Sequence, residues 1–366
     1  MQLILDALTG RSSVWPEDAA ASFEAEVLDA AATEGVAPLL ARARRVADAQ
    51  GWPPRVAAAL DRTLADEAAL EVCRRAELRR LLAAFRGAGV TALVFKGAAL
   101  AYQVFEQPWL RPRRDTDLLI AAGEGARAAG VLRDLGYDPL VTTSGRLVSG
   151  QNQWMRRDAV GTRHAVDLHW RIVNPHAFAR LLPFAALASR AVQLPPLGGA
   201  ARAPSLPDAL VIACLHRVVH HYGSENLLWL YDIHLLSSSL PADGQQTFLD
   251  LVARTGTGAI CAEGLTLAHE AFAGEAAAAL ERRIGSRALP RAWRRFMIRG
   301  VSQMDVLWSD LRVLGSWRDR ATLVREHLFP PAEYMRARYG TANGAGLPAL
   351  YARRVARGVR RWFAAR

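Results

Sequence analysis

Apolar and polar positions change their rhythm several times along this chain, and the changes mark out its parts. Residues 17–88 are rich in Ala, Leu, Glu and Arg, with apolar residues at helical spacing such as Leu60, Leu64, Ala68 and Val72. Pro53 and Pro54 interrupt this stretch at a point where a new helix can begin, and its last helix is expected to end near Gly87 and Gly89. The segment VTALVF (90–95) is short, apolar and β-branched, which suits a buried strand. Residues 98–105 return to helical composition, DTDLLI (115–120) reads as a second strand, and 124–135 suits a helix stopped by Gly136. Residues 151–157 and 162–172 read as two strands around a turn at 158–161. Alternation of this kind predicts an α/β (α+β) core with a mixed sheet.

The Pro- and Gly-rich stretch PPLGGAARAPSLP (195–207) has the punctuation of a linker. Beyond it the apolar stripes are helical again over 208–222, 226–238 and 244–253, and no internal repeat is present. The expected organisation is an N-terminal helical region (1–88), an α/β core (89–200) and a C-terminal helical region (201–366) with a basic tail. The tail, LYARRVARGVRRWFAAR, holds six arginines and no acids. As a helix it is basic and amphipathic, and packing by its apolar side with a solvated basic face is preferred over a clamp on a polyanion or a membrane surface.

Composition adds to this picture. A 366-residue chain that is 51% hydrophobic and 22% charged can bury a sizeable core and is not disordered. Its net charge of +11 favours polyanionic partners without choosing among nucleotides, nucleic acid and acidic lipid. Three widely spaced cysteines suggest neither a disulfide framework nor a cysteine zinc site. No basic stretch precedes an apolar run at the N-terminus, and no uncharged run is long enough to span a bilayer, so the expected location is the cytoplasm. One compositional fact is sharper. Lys and Arg total 46, yet Lys96 is the single lysine. A compact ammonium on a flexible stem suits phosphate contact in a tight loop better than a guanidinium does.

Chemistry concentrates around that lysine. In a strand, Asp115 and Asp117 project from one face, with Thr116, Leu118 and Ile120 on the other. Two acids side by side repel unless a cation sits between them, and a hard divalent ion such as Mg²⁺ takes carboxylates together with substrate phosphates. In HAVDLHWRI (164–172), Asp167, His169 and Arg171 share the face opposite Val166, Leu168 and Trp170. If the two strands are neighbours, Asp167 joins the other two acids, and three convergent carboxylates suit a two-metal phosphoryl-type transfer. Lys96-Gly97 stands at a strand-to-helix junction, where free N–H groups, a glycine and a cation can receive phosphate.

Other residues carry weaker readings. His216 and His220, four apart with His221 adjacent, can bind zinc in principle, but no third ligand stands nearby, and packed histidines are the preferred reading. Asp232, inside the apolar run LLWLYDIHLL, needs a partner if buried; a structural ion pair is preferred to nucleotide contact. Tyr102 and Trp109 flank the loop between Lys96 and the acids, where either could stack on a base or pack in the core.

The segment FKGAALAYQVFEQPWLRPRRDTDLLI resembles the Lys-Gly and LRPxxDxDLL region of an uncharacterised bacterial nucleotidyltransferase family within the DNA polymerase beta-like superfamily. CLHRVVHHYGSENLLWLYDIHLL (214–236) and HLFPPAEYMRARYG (327–340) resemble further family segments, so that the resemblance covers most of 56–360. By this resemblance Asp115, Asp117 and Asp167 match the three metal-holding acids. Lys96 and Gly97 stand for the superfamily's Gly-Gly or Gly-Ser pair, and Arg111 matches the arginine four residues before the first acid. Thr116 departs from the common aliphatic residue, and Arg113 and Arg114 add charge that either binds phosphate or offsets the acids. The implied activity is Mg²⁺-dependent transfer of a nucleoside monophosphate from a nucleoside triphosphate (NTP), ATP among the candidates, to a hydroxyl of a small molecule or of a protein or peptide. Lys96, Gly97, Arg111 and Arg114 would then serve the nucleotide. The alternative is a non-catalytic nucleic-acid-binding or interaction protein on a degenerate scaffold. The basic charge motivates it, and the presence of all three acids and the lysine disfavours it.

Overall fold

The computed structural model describes the chain except residues 21, 47–50, 143–144, 146, 222–224, 299–300, 340–345 and 365–366, and except the side chains of 220–221 and 359–364 within their helices. Four helices lead: α1 (Gln2–Leu8), α2 (Phe23–Thr33), α3 (Ala37–Val46) and α4 (Pro54–Gly87). Pro54 is the first residue of α4, where a missing N–H costs nothing, and the helix then runs unbroken for 34 residues. Its expected apolar row does not stay buried. Leu60 is 1% exposed, whereas Val72 is 59% exposed. Steps of four residues advance about 40° beyond a full turn, so three steps rotate the row about 120°. Meanwhile α4 changes partners. Val56 and Leu60 face the helical core, while Leu78, Leu81, Leu82 and Phe85 face the back of a sheet.

That sheet is formed by β1 (Ala92–Val94), β2 (Thr116–Ile120), β3 (Asp138–Pro139), β4 (Gln151–Arg157) and β5 (Arg163–His169), in the order β1-β2-β5-β4-β3. Helix α5 (Lys96–Gln103) follows β1, and α6 (Gly125–Asp134) follows β2. β2 and β5 are parallel, with Asp117 directly opposite Asp167, and the other pairings are antiparallel. The mixed sheet is therefore as expected. Its even-numbered face (Leu118, Ile120, Val166, Leu168) is buried with Trp154 against α4 and α6. Alternation carries Leu93, Phe95 and Leu119 to the opposite face, into the larger helical core.

Two short helices, α7 (His176–Ala179) and α8 (Phe184–Ser189), lead to the stretch expected to be a linker. It is instead structured. β6 (Val192–Gln193) pairs with β7 (Arg202–Ala203), and Leu194, Leu197, Ala201 and Ala203 are buried in the core behind the sheet. The glycines and prolines make the turns of this hairpin, and the few apolar residues between them anchor it. Then come α9 (Leu206–His221), α10 (Leu227–Ser238), α11 (Ala242–Thr255), α12 (Gly258–Phe272) and α13 (Glu275–Arg283). These share one apolar core with α1–α3: Val27, Ala31 and Leu40 are buried together with Leu215, Leu228 and Leu265.

The chain closes with α14 (Gln303–Val313), α15 (Trp317–Leu328), α16 (Ala332–Tyr339) and α17 (Leu347–Ala364). The tail is thus helical. Leu350 is buried, Tyr351 donates to Pro330 O at 2.6 Å, and Arg353 and Arg357 are exposed. Among the described residues no helix is long and apolar enough to cross a membrane.

Candidate active site

A cleft of about 1220 Å³ opens over the odd-numbered face of the sheet. Asp115, Asp117 and Asp167 line it, as do Lys96, Gly97, Arg111 and Arg114, so the three acids and the four residues expected to serve the nucleotide meet here. The opposite wall is apolar and comes from helices: Leu28, Leu60, Ile212, Leu228 and Trp229.

The parallel register does the assembling. With Asp117 opposite Asp167, side chains on the same face of adjacent strands stand side by side, and His169 follows two residues later. One donor atom each from Asp117, Asp167 and His169 lies within 4.8 Å of the others. Asp115 stands just before β2, exposed in the cleft wall rather than inside this buried group. Lys96 Nζ donates to Asp117 Oδ1 at 2.9 Å, and His169 Nε2 reaches the same oxygen at 2.7 Å. A carboxylate only accepts, so His169 carries its proton on Nε2.

The charges follow from these contacts. Burial opposes the negative charge of Asp117, but Lys96 and His169 outweigh it and hold the carboxyl far below the usual carboxylate range. Burial and then the charge of Lys96 push His169 down to about 4, so its imidazole is neutral near pH 7. Asp167 moves the other way. Burial, then the charge on Asp117, with Asp115 adding, raise it to about 6, despite a hydrogen bond from Gln153. Gln151 Nε2 and Gln153 Nε2 both donate to Asp167 Oδ2, at 2.9 and 3.2 Å. One carboxylate is therefore held ionised, while the other keeps a proton more readily than an ordinary aspartate.

The arginines divide. Arg111 is buried and forms a bidentate pair with Asp232: Nε donates to Oδ1 at 2.8 Å and Nη2 to Oδ2 at 2.6 Å. Asp232 thus has the structural ion pair preferred for it. The guanidinium lies flush against Gly97, where an added Cβ would come within 2.8 Å of Cζ. The absence of a side chain at Gly97 therefore makes room for Arg111. Arg113 pairs with Glu71 at 2.6 Å, both nearly inaccessible, and the Tyr102 hydroxyl also donates to Glu71. Arg113 therefore offsets a buried acid of α4. Arg114 is exposed in the cleft, in no ion pair among the described residues.

Tyr102 and Trp109 do not line the cleft. Tyr102 is turned to Glu71, and Trp109 packs on the helical core. The aromatic wall is Trp229, edge-on to His216 at 6.3 Å. The expectation for His220 and His221 falls on side chains outside the described residues. Sequence reasoning placed His169 on the acidic face but gave it no role, and it missed Gln151, Gln153 and Trp229. The glutamines were legible in part: positions 151 and 153 alternate onto one face of a strand adjoining that of Asp167.

The chain belongs to the uncharacterised nucleotidyltransferase family, whose sequence profile matches residues 23–273, more than half its length. The match takes in every residue of the cleft and ends before α14. No curated protein matches the chain.

Proposed function

We propose that this member of the nucleotidyltransferase family transfers a nucleoside monophosphate from an NTP to a hydroxyl, using Mg²⁺ held by Asp115, Asp117 and Asp167. The register that sets Asp117 beside Asp167, with the lone lysine against them, is the observation that carries this reading. The donor set favours it. Paired carboxylates in a cleft suit a hard cation that also needs phosphate oxygens, whereas the one nearby imidazole already donates to Asp117. When bound, the cation neutralises charge on the phosphates and on the acceptor oxygen.

The protein's own groups do the rest by position and charge. Lys96 and Arg114 receive the triphosphate, and the Arg111–Asp232 pair fixes the start of α5 through its contact with Gly97. His169 orients Asp117, and the two glutamines orient Asp167. The acceptor oxygen attacks the α-phosphorus as the bond to the bridging oxygen breaks, and pyrophosphate leaves. The proton lost by the acceptor passes to Asp167, the carboxylate set beside Asp117 in the cleft. The apolar wall around Trp229 takes the uncharged parts of the substrates, which suits a small-molecule hydroxyl or a single protein or peptide side chain.

The test is thermal stability of the protein against ATP, GTP, CTP and UTP, with and without Mg²⁺, beside the Asp115→Asn/Asp117→Asn variant. A ligand at 100 times its dissociation constant adds about 2.7 kcal/mol, a readable shift. A Mg²⁺-dependent shift with at least one nucleotide, absent in the variant, is expected. No shift with any nucleotide would overturn the proposal and favour the non-catalytic, nucleic-acid-binding alternative.

A further inference from the structure

Lys96 is held in an unusual way. Its φ is 51°, in the left-handed region that residues with side chains seldom enter. The side chain of this first residue of α5 lies over Phe95, with Nζ 4.9 Å from the ring centre. The ammonium ends 2.9 Å from Asp117 Oδ1 and 3.5 Å from His169 Nε2, and the side chain is 10% exposed. Strained backbone that survives in a cleft points to a side chain whose placement matters.

Two neighbouring cations are engaged elsewhere, Arg111 with Asp232 and Arg113 with Glu71, while Arg114 is exposed in the cleft and forms no ion pair with these acids among the described residues. Lys96 is the cation bonded to Asp117 itself, and it covers the very oxygen that His169 also binds. A divalent cation approaching these carboxylates meets an ammonium of like charge already on Asp117. An NTP brings a triphosphate, more highly charged than any one carboxylate, within reach of a flexible four-carbon stem.

We propose that Lys96 is a built-in counter-cation that blocks divalent-cation binding in the nucleotide-free protein and is drawn off Asp117 by the triphosphate, so that cation and nucleotide load together. This rests on the reading of the cleft as an NTP and cation site. It adds a regulatory role to Lys96: the residue that binds the phosphates also keeps the acids closed until phosphates arrive. Linkage makes the coupling reciprocal, each ligand strengthening the other.

The single lysine makes the test clean, because lysine labelled with ¹³C at Cε gives one side-chain resonance in the full-length protein. A non-hydrolysable NTP analogue with Mg²⁺ should move that resonance, and Mg²⁺ alone should leave it in place. In parallel, equilibrium dialysis with Mn²⁺ alone should show Lys96→Met binding the ion at least about tenfold more tightly than the wild type. Lys96→Arg, which keeps the charge, should remain weak and guards against a general effect of losing the lysine. Equal Mn²⁺ affinity in wild type and Lys96→Met would overturn the counter-cation role and leave the nucleotidyltransferase reading intact, as would a lysine resonance that shifts fully with Mg²⁺ alone. If neither protein bound Mn²⁺ and the lysine signal ignored the analogue, the reading of the cleft itself would fall with it.

Discussion

Gly97→Ala is a one-methyl change whose cost can be worked from the structure. Gly97 lies inside α5, where alanine by itself would be favoured over glycine by about 0.5–1 kcal/mol. Its Cβ, however, would come within 2.8 Å of Arg111 Cζ and 3.1 Å of Nη2. The guanidinium cannot yield without leaving Asp232, which is 4% exposed and bonded through both of its oxygens. Breaking a buried pair from one side costs about 3–5 kcal/mol, because the other charge stays buried without its partner. Less the helix gain, the expected loss is about 2–4 kcal/mol. Urea unfolding should show the midpoint fall with an unchanged slope. The cause is isolated by repeating the change in an Arg111→Met/Asp232→Leu background, where no guanidinium opposes the methyl and the substitution should be neutral or slightly stabilising. Full stability of the single variant, or the same loss in both backgrounds, would refute the claim that Gly97 exists to seat Arg111.

Two further outcomes are expected. His169→Phe keeps the ring packed edge-on to Phe95 but removes the donor that holds Asp117, so NTP-dependent Mn²⁺ binding should weaken about 10- to 100-fold while the unfolding midpoint moves little; unchanged binding would show that Asp117 needs no such support. Asp310, buried on α14, accepts from His176 N at 2.7 Å, and burial raises it to about 6. The folded protein then holds this proton more tightly than the unfolded chain does. Its contribution is most favourable below about pH 4 and is lost as pH rises through about 6, a change of about 2–3 kcal/mol. Asp310→Asn should remove that component, so the stability difference between wild type and variant should slope with pH across this window; parallel profiles would contradict the assignment.

Much of the site was legible because strand alternation is local. The spacing of Asp115 and Asp117, and of Asp167 and His169, assigned each pair to one face before any neighbour was known. The change of rhythm near residue 89 separated helical from α/β chain, and the helix-to-strand order set the fold class. The stretch 195–207 was misread because Gly and Pro mark turns in linkers and in packed hairpins alike, and only the burial of Leu197 and Ala203 tells them apart.

What local pattern could not supply is pairing across the chain. Strand register set Asp117 against Asp167, 50 residues on, and a one-residue slip would have turned the second acid to the opposite face. Arg111 found Asp232 from 121 residues away. Arg113 found Glu71 on a helix whose apolar row gave no sign that an acid would be buried in it. The sequence by itself determined on which faces of their elements the candidate residues lie, because backbone geometry fixes those within a few residues. Only the tertiary structure decided which charges meet. That division left Lys96 on Asp117, Arg111 on Asp232 and Arg114 exposed in the cleft, because which charges pair in a folded chain depends on distances that sequence separation does not encode.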